Sequence, residues 1–183
     1  MRIIKEGGDC YYSSTGYAIF DEDKLIKYGK IVTNKKNFEN EDLRLNHICD
    51  KIEQLIIKYE IDELVCEDQF TSVNSKTILV LRKLIGGIMR TANRFDINVH
   101  YYFPNEWRKI LGINKGTSND KKKKCYDYLI KNNIIDFEFI PKNKDKNDDI
   151  CDAIGIGLAY LKNILIRITE RNETIKVIKK RIE

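Results

Sequence analysis

An α/β fold with a mixed sheet is what this sequence predicts. Three observations predict it: short alternating strands early in the chain, later short apolar strands separated by helix-period segments, and no repeat or linker to divide the chain. The first strand starts at Ile3-Ile4 and leads through Asp9 to Thr15-Gly16. Tyr17 to Phe20 makes the second. Asp21-Glu22-Asp23 is a polar turn, and Leu25 to Val32 alternates as a third strand does, which gives an antiparallel hairpin. Leu45, Ile48, Ile52, Leu55 and Ile56 recur on one helical face, and Leu64 to Cys66 is a short buried strand. A second helix spans about Lys76 to Asn93, followed by a strand from Val99 to Phe103. The polar loop Asn114 to Asp120 opens a third helix through Tyr128, and Asp149 to about Ile168 forms the last. The expected sheet has five strands, three antiparallel and then parallel, flanked by helices.

Length and composition bound the function. At 183 residues the chain reads as one domain, taken as residues 1–170, with a basic C-terminal tail at 171–183. The net charge of +5 is modest, but the basic residues cluster: Lys121 to Lys124, then Lys142, Lys144 and Lys146, then Lys179-Lys180-Arg181. Such clusters suit a phosphate backbone, and a solvated helix face or tail is the competing reading of each. Five cysteines without a C-x-x-C pair and only two histidines make a zinc site improbable, and the odd thiol count points to a reducing cytoplasm. Cys10 and Cys66 read as small core residues behind neighbouring carboxylates. The apolar stretch Ile150 to Ile166 is broken by Asp152, Lys162 and Asn163, so no membrane span is expected.

Four acidic residues carry the chemistry. Asp9 ends the short strand-like start, Glu67 ends the run Leu64-Val65-Cys66, and Asp149 and Asp152 open the last helix. Carboxylates from three distant segments, each at an element terminus, are what a divalent-metal phosphodiesterase needs, because hard cations prefer oxygen ligands. Each has a structural rival. Asp149 or Asp148 could be a helix N-cap, worth about 1 kcal/mol. Capping does not account for Asp152, which shares the helix face one turn on. Glu67, beside Asp68, could belong to a solvated rim.

Four local matches in order make the chain resemble the RuvC-type Holliday-junction resolvases of the RNase H-like nuclease superfamily. They are Asp9 followed by Thr15-Gly16-Tyr17; Glu67 with Phe70, Lys76, Leu79 and Gly86-Gly87; Trp107-Arg108-Lys109 to Gly112, followed by Lys122; and Asp149-Ile150-Cys151-Asp152-Ala153-Ile154. The resemblance runs from Asp9 to about Tyr160. One departure is that Lys5-Glu6-Gly7-Gly8 precedes Asp9 where the family has apolar residues, and each glycine weakens a strand by roughly 1 kcal/mol. Cys10-Tyr11-Tyr12 also replaces the usual Pro-Gly-Ser.

The resemblance implies an RNase H-like fold and a structure-selective endonuclease that resolves Holliday junctions by paired symmetric nicks, leaving 5′-phosphate and 3′-hydroxyl ends. Asp9, Glu67, Asp149 and Asp152 would hold two Mg2+ ions, with Mn2+ as a substitute and no small-molecule cofactor. Lys122 would stabilise charge at the scissile phosphate, although Lys121 or Lys123 could take that part. Phe70 would stack on an unpaired base or be core. Lys76, Arg108, Lys109, Lys121, Lys123, Lys142 and Lys144 would contact DNA. For Arg108 and Lys109, ion pairing with Glu106 or Asp120 is an alternative.

A homodimer is expected, because a four-way junction has two-fold symmetry. The apolar residues from Ile78 to Met89 cover more than one helix face, offering Leu79 and Leu84 to a second copy; a helix sunk between the sheet and another helix is the other reading. No membrane partner is expected, and the place of action would be the cytoplasm of a bacterial or phage-infected cell. Two other classes stay open: a non-catalytic branched-DNA binder, and an RNase H-like nuclease acting on another nucleic acid. An actin-like kinase, which also places Thr-Gly after an Asp, needs a second lobe that 183 residues cannot hold.

Overall fold

Strand pairing organises the molecule. The computed structural model describes residues 2–6, 14–68, 75–140 and 147–182, and not the side chains of residues 2–6, 35, 75–77, 118 and 172–182. Among these residues, strands β1 (Arg2–Glu6), β2 (Ser14–Asp21), β3 (Lys24–Val32), β4 (Glu63–Glu67) and β5 (Asn98–Tyr102) join in the order β3-β2-β1-β4-β5. β2 is antiparallel to both β1 and β3, and β4 is parallel to both β1 and β5. The β2–β3 pair can close through a tight turn because Glu22 takes a left-handed backbone, φ 52°. Parallel neighbours need a long crossover, and α1 (Glu41–Tyr59) and α2 (Ser75–Asn93) supply it on either side of β4.

Helices cover both faces of the sheet. On one face, Ile48, Ile52 and Ile56 of α1 and Val80, Leu84 and Ile88 of α2 pack with Leu64 and Cys66. On the other, α3 (Pro104–Ile110), α4 (Ser118–Lys131) and α5 (Asp148–Ile182) pack with Ala18, Phe20 and Val65 around Trp107. Asn40 caps α1 by accepting from the Leu43 amide at 2.9 Å, and Thr117 with Asp120 forms a reciprocal cap at the start of α4. No helix among the described residues is long and apolar enough to cross a membrane.

Three details depart from the expected elements. α3 is an additional helix, begun by Pro104 and by the Glu106 carboxylate, which accepts from the Phe103 amide at 2.8 Å. The last helix continues past Ile168 to Ile182. Leu84, expected to meet a second copy, is fully buried between α2 and α1, whereas Leu79 is 60% exposed and Met89 45%. A one-sided amphipathic reading would have separated them: Leu84 shares a stripe with Val80 and Ile88, and Leu79 lies off it.

Gly16 fixes how α5 meets the sheet. A Cβ at this position would lie 2.1 Å from the Asp149 carbonyl oxygen, so only glycine lets β2 and the first turn of α5 touch. Gly16→Ala should therefore cost about 1–3 kcal/mol by overpacking, or about 2–12 °C in Tm for a domain of this size. Thermal unfolding followed by circular dichroism checks this. A Tm within about 1 °C of the parent would mean that α5 is not held against β2.

Candidate active site

Glu67 closes β4, and strand alternation decides its face. Leu64 and Cys66 point to α1 and α2, so Val65 and Glu67 point to the α5 side. Cys66, 3% exposed, is the small core residue expected behind Glu67; Cys10 lies outside the described residues. Glu67 is buried, 6% exposed, and its Oε2 accepts from the Trp107 indole Nε1–H at 2.7 Å. The solvated-rim reading of Glu67 is therefore set aside.

The start of α5 supplies the remaining acids. Asn147, just before the helix, uses its side chain to tie down the preceding segment: Oδ1 accepts from the Ile140 amide and Nδ2–H donates to the Glu138 carbonyl, both at 2.8 Å. The Asn147 carbonyl accepts from the Ile150 and Cys151 amides at 3.1 Å. Asp148, Asp149 and Asp152 are all buried, at 3%, 1% and 1% exposure. Gly155 lets the helix sit on the indole, since a Cβ there would come within 2.8 Å of Trp107 and 2.9 Å of the Cys125 sulfur. Sheet register brings the acids together. Lys5 pairs with Gly16, and Ile4 with Cys66, so Gly16 and Glu67 stand level on either side of β1. Two strand spacings put their backbones about 10 Å apart, with Asp149 lying over Gly16.

Buried carboxylates need counter-charge, because an unpaired buried ion costs several kcal/mol. Two cations provide it. The Arg108 guanidinium donates to Asp152 Oδ2 at 3.2 Å and to the Pro104 carbonyl at 3.3 Å, and it lies 4.3 Å from the Trp107 ring centroid. Lys122 Nζ donates to Asp148 Oδ2 at 2.6 Å, with its side chain 32% exposed. The lysine run is thereby divided by role. Lys121 reaches Asn105 at 3.3 Å and Lys124 the Lys115 carbonyl at 3.0 Å, Lys123 is exposed, and Lys122 reaches the acids.

The remaining expected site residues are placed as follows. Arg108, expected on the DNA backbone or paired with Glu106 or Asp120, is instead 8% exposed and paired with Asp152, since α3 turns it inward beside Trp107. Lys109 is exposed on the same helix, facing a cleft at the β5 edge. Lys76 lies in the first turn of α2. Asp9, Phe70, Lys142 and Lys144 lie outside the described residues. Sequence reading gave no role to Trp107, Asn147 or Asp148 as a lysine partner. The usable signal was the chain's single tryptophan next to an arginine.

The donor chemistry suits a hard divalent cation, because every candidate ligand is a carboxylate. Among the described residues, no group of three acids, histidines or cysteines converges closely enough to hold an ion. Glu67, Asp149 and Asp152 are buried carboxylates on β4 and α5, and Asp9, the fourth expected acid, lies outside the described residues.

Comparison with known proteins shows what the whole chain is similar to. The family described as "Crossover junction endodeoxyribonuclease RuvC" matches residues 7–160. The RuvC protein of Caldicellulosiruptor saccharolyticus is 26% identical over 167 residues, covering 88% of this chain and 92% of its own. That of Ehrlichia canis is 30% identical over 168 residues, covering 89% and 99%. Among solved structures, Thermus thermophilus RuvC in complex with a Holliday junction substrate superposes with a TM-score of 0.70 at 14% identity, covering 91% of this chain and 96% of that one. The fowlpox virus resolvase bound to Holliday junction DNA gives 0.54 at 24% identity, covering 90% and 99%. These two likenesses show the fold, which is RNase H-like.

Trp107→Phe keeps an aromatic ring in the core and deletes the donor to Glu67. Groups that orient metal ligands typically govern affinity by about 10–100-fold, and Mg2+ titration calorimetry should read a loss in that range. Unchanged Mg2+ affinity at an unchanged Tm would show that the indole bond is structural only.

Proposed function

The chain belongs to the RuvC family of crossover-junction endodeoxyribonucleases, and from that membership we propose that it resolves Holliday junctions by metal-dependent, paired nicks in opposite strands. The observation that carries the reading is the buried acidic cluster at the β4–α5 junction, held by its own cations: Arg108 on Asp152 and Lys122 on Asp148.

In this mechanism Asp9, Glu67, Asp149 and Asp152 would hold two divalent cations, Mg2+ or Mn2+, which would supply Lewis-acid charge at the scissile phosphate and lower the pKa of the attacking water. The protein does the rest by positioning. Trp107 fixes one oxygen of Glu67, so the carboxylate cannot rotate out of the cluster. Arg108 holds Asp152 from the interior through one carboxylate oxygen. Lys122, the more exposed cation, can exchange Asp148 for a phosphate oxygen and stabilise charge that develops in the transition state. Burial of the acids under α5 keeps bulk water from screening these contacts. Hydrolysis leaves 5′-phosphate and 3′-hydroxyl ends, which a ligase can reseal. Phe70 and the lysines 76, 109, 121, 123, 142 and 144 are the candidate DNA contacts, Phe70 by stacking and the lysines by phosphate neutralisation. The last residues, 171–183, add a basic end to the nuclease domain.

Asp152→Asn removes a charged ligand and keeps the shape. Junction cleavage should fall by at least about 10³-fold while junction binding holds or improves, because less negative charge faces the phosphates. The check is gel-based cleavage and binding on a four-way junction, a linear duplex and an RNA–DNA hybrid. Preferred cleavage of the hybrid would move the assignment to another RNase H-like nuclease. Junction binding without cleavage by the unmodified protein would make it a branched-DNA binder.

Assembly follows from the substrate's symmetry. A C2 dimer presents two equivalent sites to a two-fold junction, and the outer face of α2, with Leu79, Met89 and the uncrowded Gly86, is the surface left free by the core. Leu79→Glu should yield monomers in analytical ultracentrifugation that still bind Mg2+ but lose paired nicking. A parent protein that sediments as a monomer at micromolar concentration, with and without junction, excludes this arrangement.

A further inference from the structure

A second site lies away from the carboxylates, at the open edge of the sheet. β5 is the last strand, and beyond it α3 and α5 frame a cleft of about 710 Å³. That volume falls within the range of small-molecule sites and exceeds what one nucleotide needs. Along α5, Tyr160 lies eight residues past Asp152 and Arg167 fifteen. At 1.5 Å per residue, the cleft starts about 12 Å from that carboxylate and reaches about 22 Å.

Its walls are aromatic and ordered. His100 and Tyr160 lie with ring centroids 4.8 Å apart, and Tyr102 meets Tyr160 edge-on at 6.3 Å. The polar ends of the tyrosines are engaged: Tyr160 donates its hydroxyl hydrogen to Glu63, and Tyr102 accepts from Asn163 Nδ2–H at 2.7 Å. Burial, then the bond to Glu63, raises the Tyr160 pKa far above the ordinary phenol value, so this phenol stays neutral. The rim carries two cations and one acid, Glu106, whose carboxylate is engaged by the Phe103 amide. Lys109 and Arg167 both line the cleft, and among the described residues no ion pair engages either one.

We propose that this cleft is a binding site for an unpaired nucleotide, with the base against the tyrosine–histidine wall and the 5′-phosphate between Lys109 and Arg167. Every base has a π-face, and stacking on aromatic side chains is worth about 1–3 kcal/mol per base in proteins that hold single strands. The two rim cations match the single charged group of a nucleotide. An acidic peptide would use the same cations but would leave the aromatic wall without a partner, so the nucleotide is favoured. The site does not rest on the nuclease reading: it would bind in a protein that cleaves nothing.

The experiment is titration of the full chain with thymidine 5′-monophosphate in EDTA, followed by NMR shifts or calorimetry, so that no cleavage is involved. Saturable binding is expected, at least tenfold tighter than for 2-deoxyribose 5-phosphate, which lacks the base. Arg167→Gln and Lys109→Gln should each weaken it about tenfold at unchanged Tm, and Asp152→Asn should leave it unchanged. The proposal is overturned if the base-free phosphate binds as tightly, if neither rim variant weakens binding, or if Asp152→Asn alters it. Binding of hexaglutamate in place of the nucleotide would overturn it in favour of an acidic peptide. Failure of junction cleavage, by contrast, would leave this result standing and count only against the nuclease.

Discussion

Where the first turn of α5 meets β2, the Asp149 carbonyl occupies space that any side chain at position 16 would need. Most of the site's geometry depends on that contact. It seats the helix start directly on the sheet backbone, so that Asp149 and Asp152 are carried under the helix and kept from water. A helix held one side-chain thickness higher would leave the same acids solvated, where they would interact weakly with any cation. At the same level of the sheet, parallel pairing of β1 and β4 sets Glu67, so one register unites three elements.

Such concentrated negative charge would ordinarily oppose folding. The chain offsets it with neighbours of unequal rigidity. Arg108 is anchored on three sides, by the Trp107 face, the Pro104 carbonyl and Asp152, and acts as a fixed part of the interior. Lys122 has a flexible stem and one engaged acceptor, and it stands nearer solvent. An arginine fork suits a permanent bond, and a lysine suits one that is exchanged during a reaction. The two cations thus differ in residue type as well as in position.

Much of this was legible in the sequence because it rests on local periodicity. The β2–β3 hairpin, the α1 stripe, the β4 run ending in Glu67 and the start of α5 at the Asp149/Asp152 pair each follow patterns within a few residues. What was not legible depends on contacts between distant segments. Trp107 and Glu67 are 40 positions apart, and Arg108 and Asp152 are 44, so no local pattern could pair them. α3 was missed because seven residues are too few to show a helical period, although Pro104 at its start was a usable sign. Leu79 and Leu84 looked alike because a strongly apolar helix hides which stripe is core until its partner helix is known.

The indole bond to Glu67 also makes the molecule self-reporting. Trp107 is the only tryptophan in the chain, its ring is fully buried, and its polar edge ends on a carboxylate of the site while a guanidinium covers its face. Tryptophan emission responds to nearby charge, so light absorbed near 300 nm is spent almost wholly on one ring in contact with one acid. The spectrum of the unlabelled protein is, in effect, a local electrometer placed at the edge of its own acidic cluster.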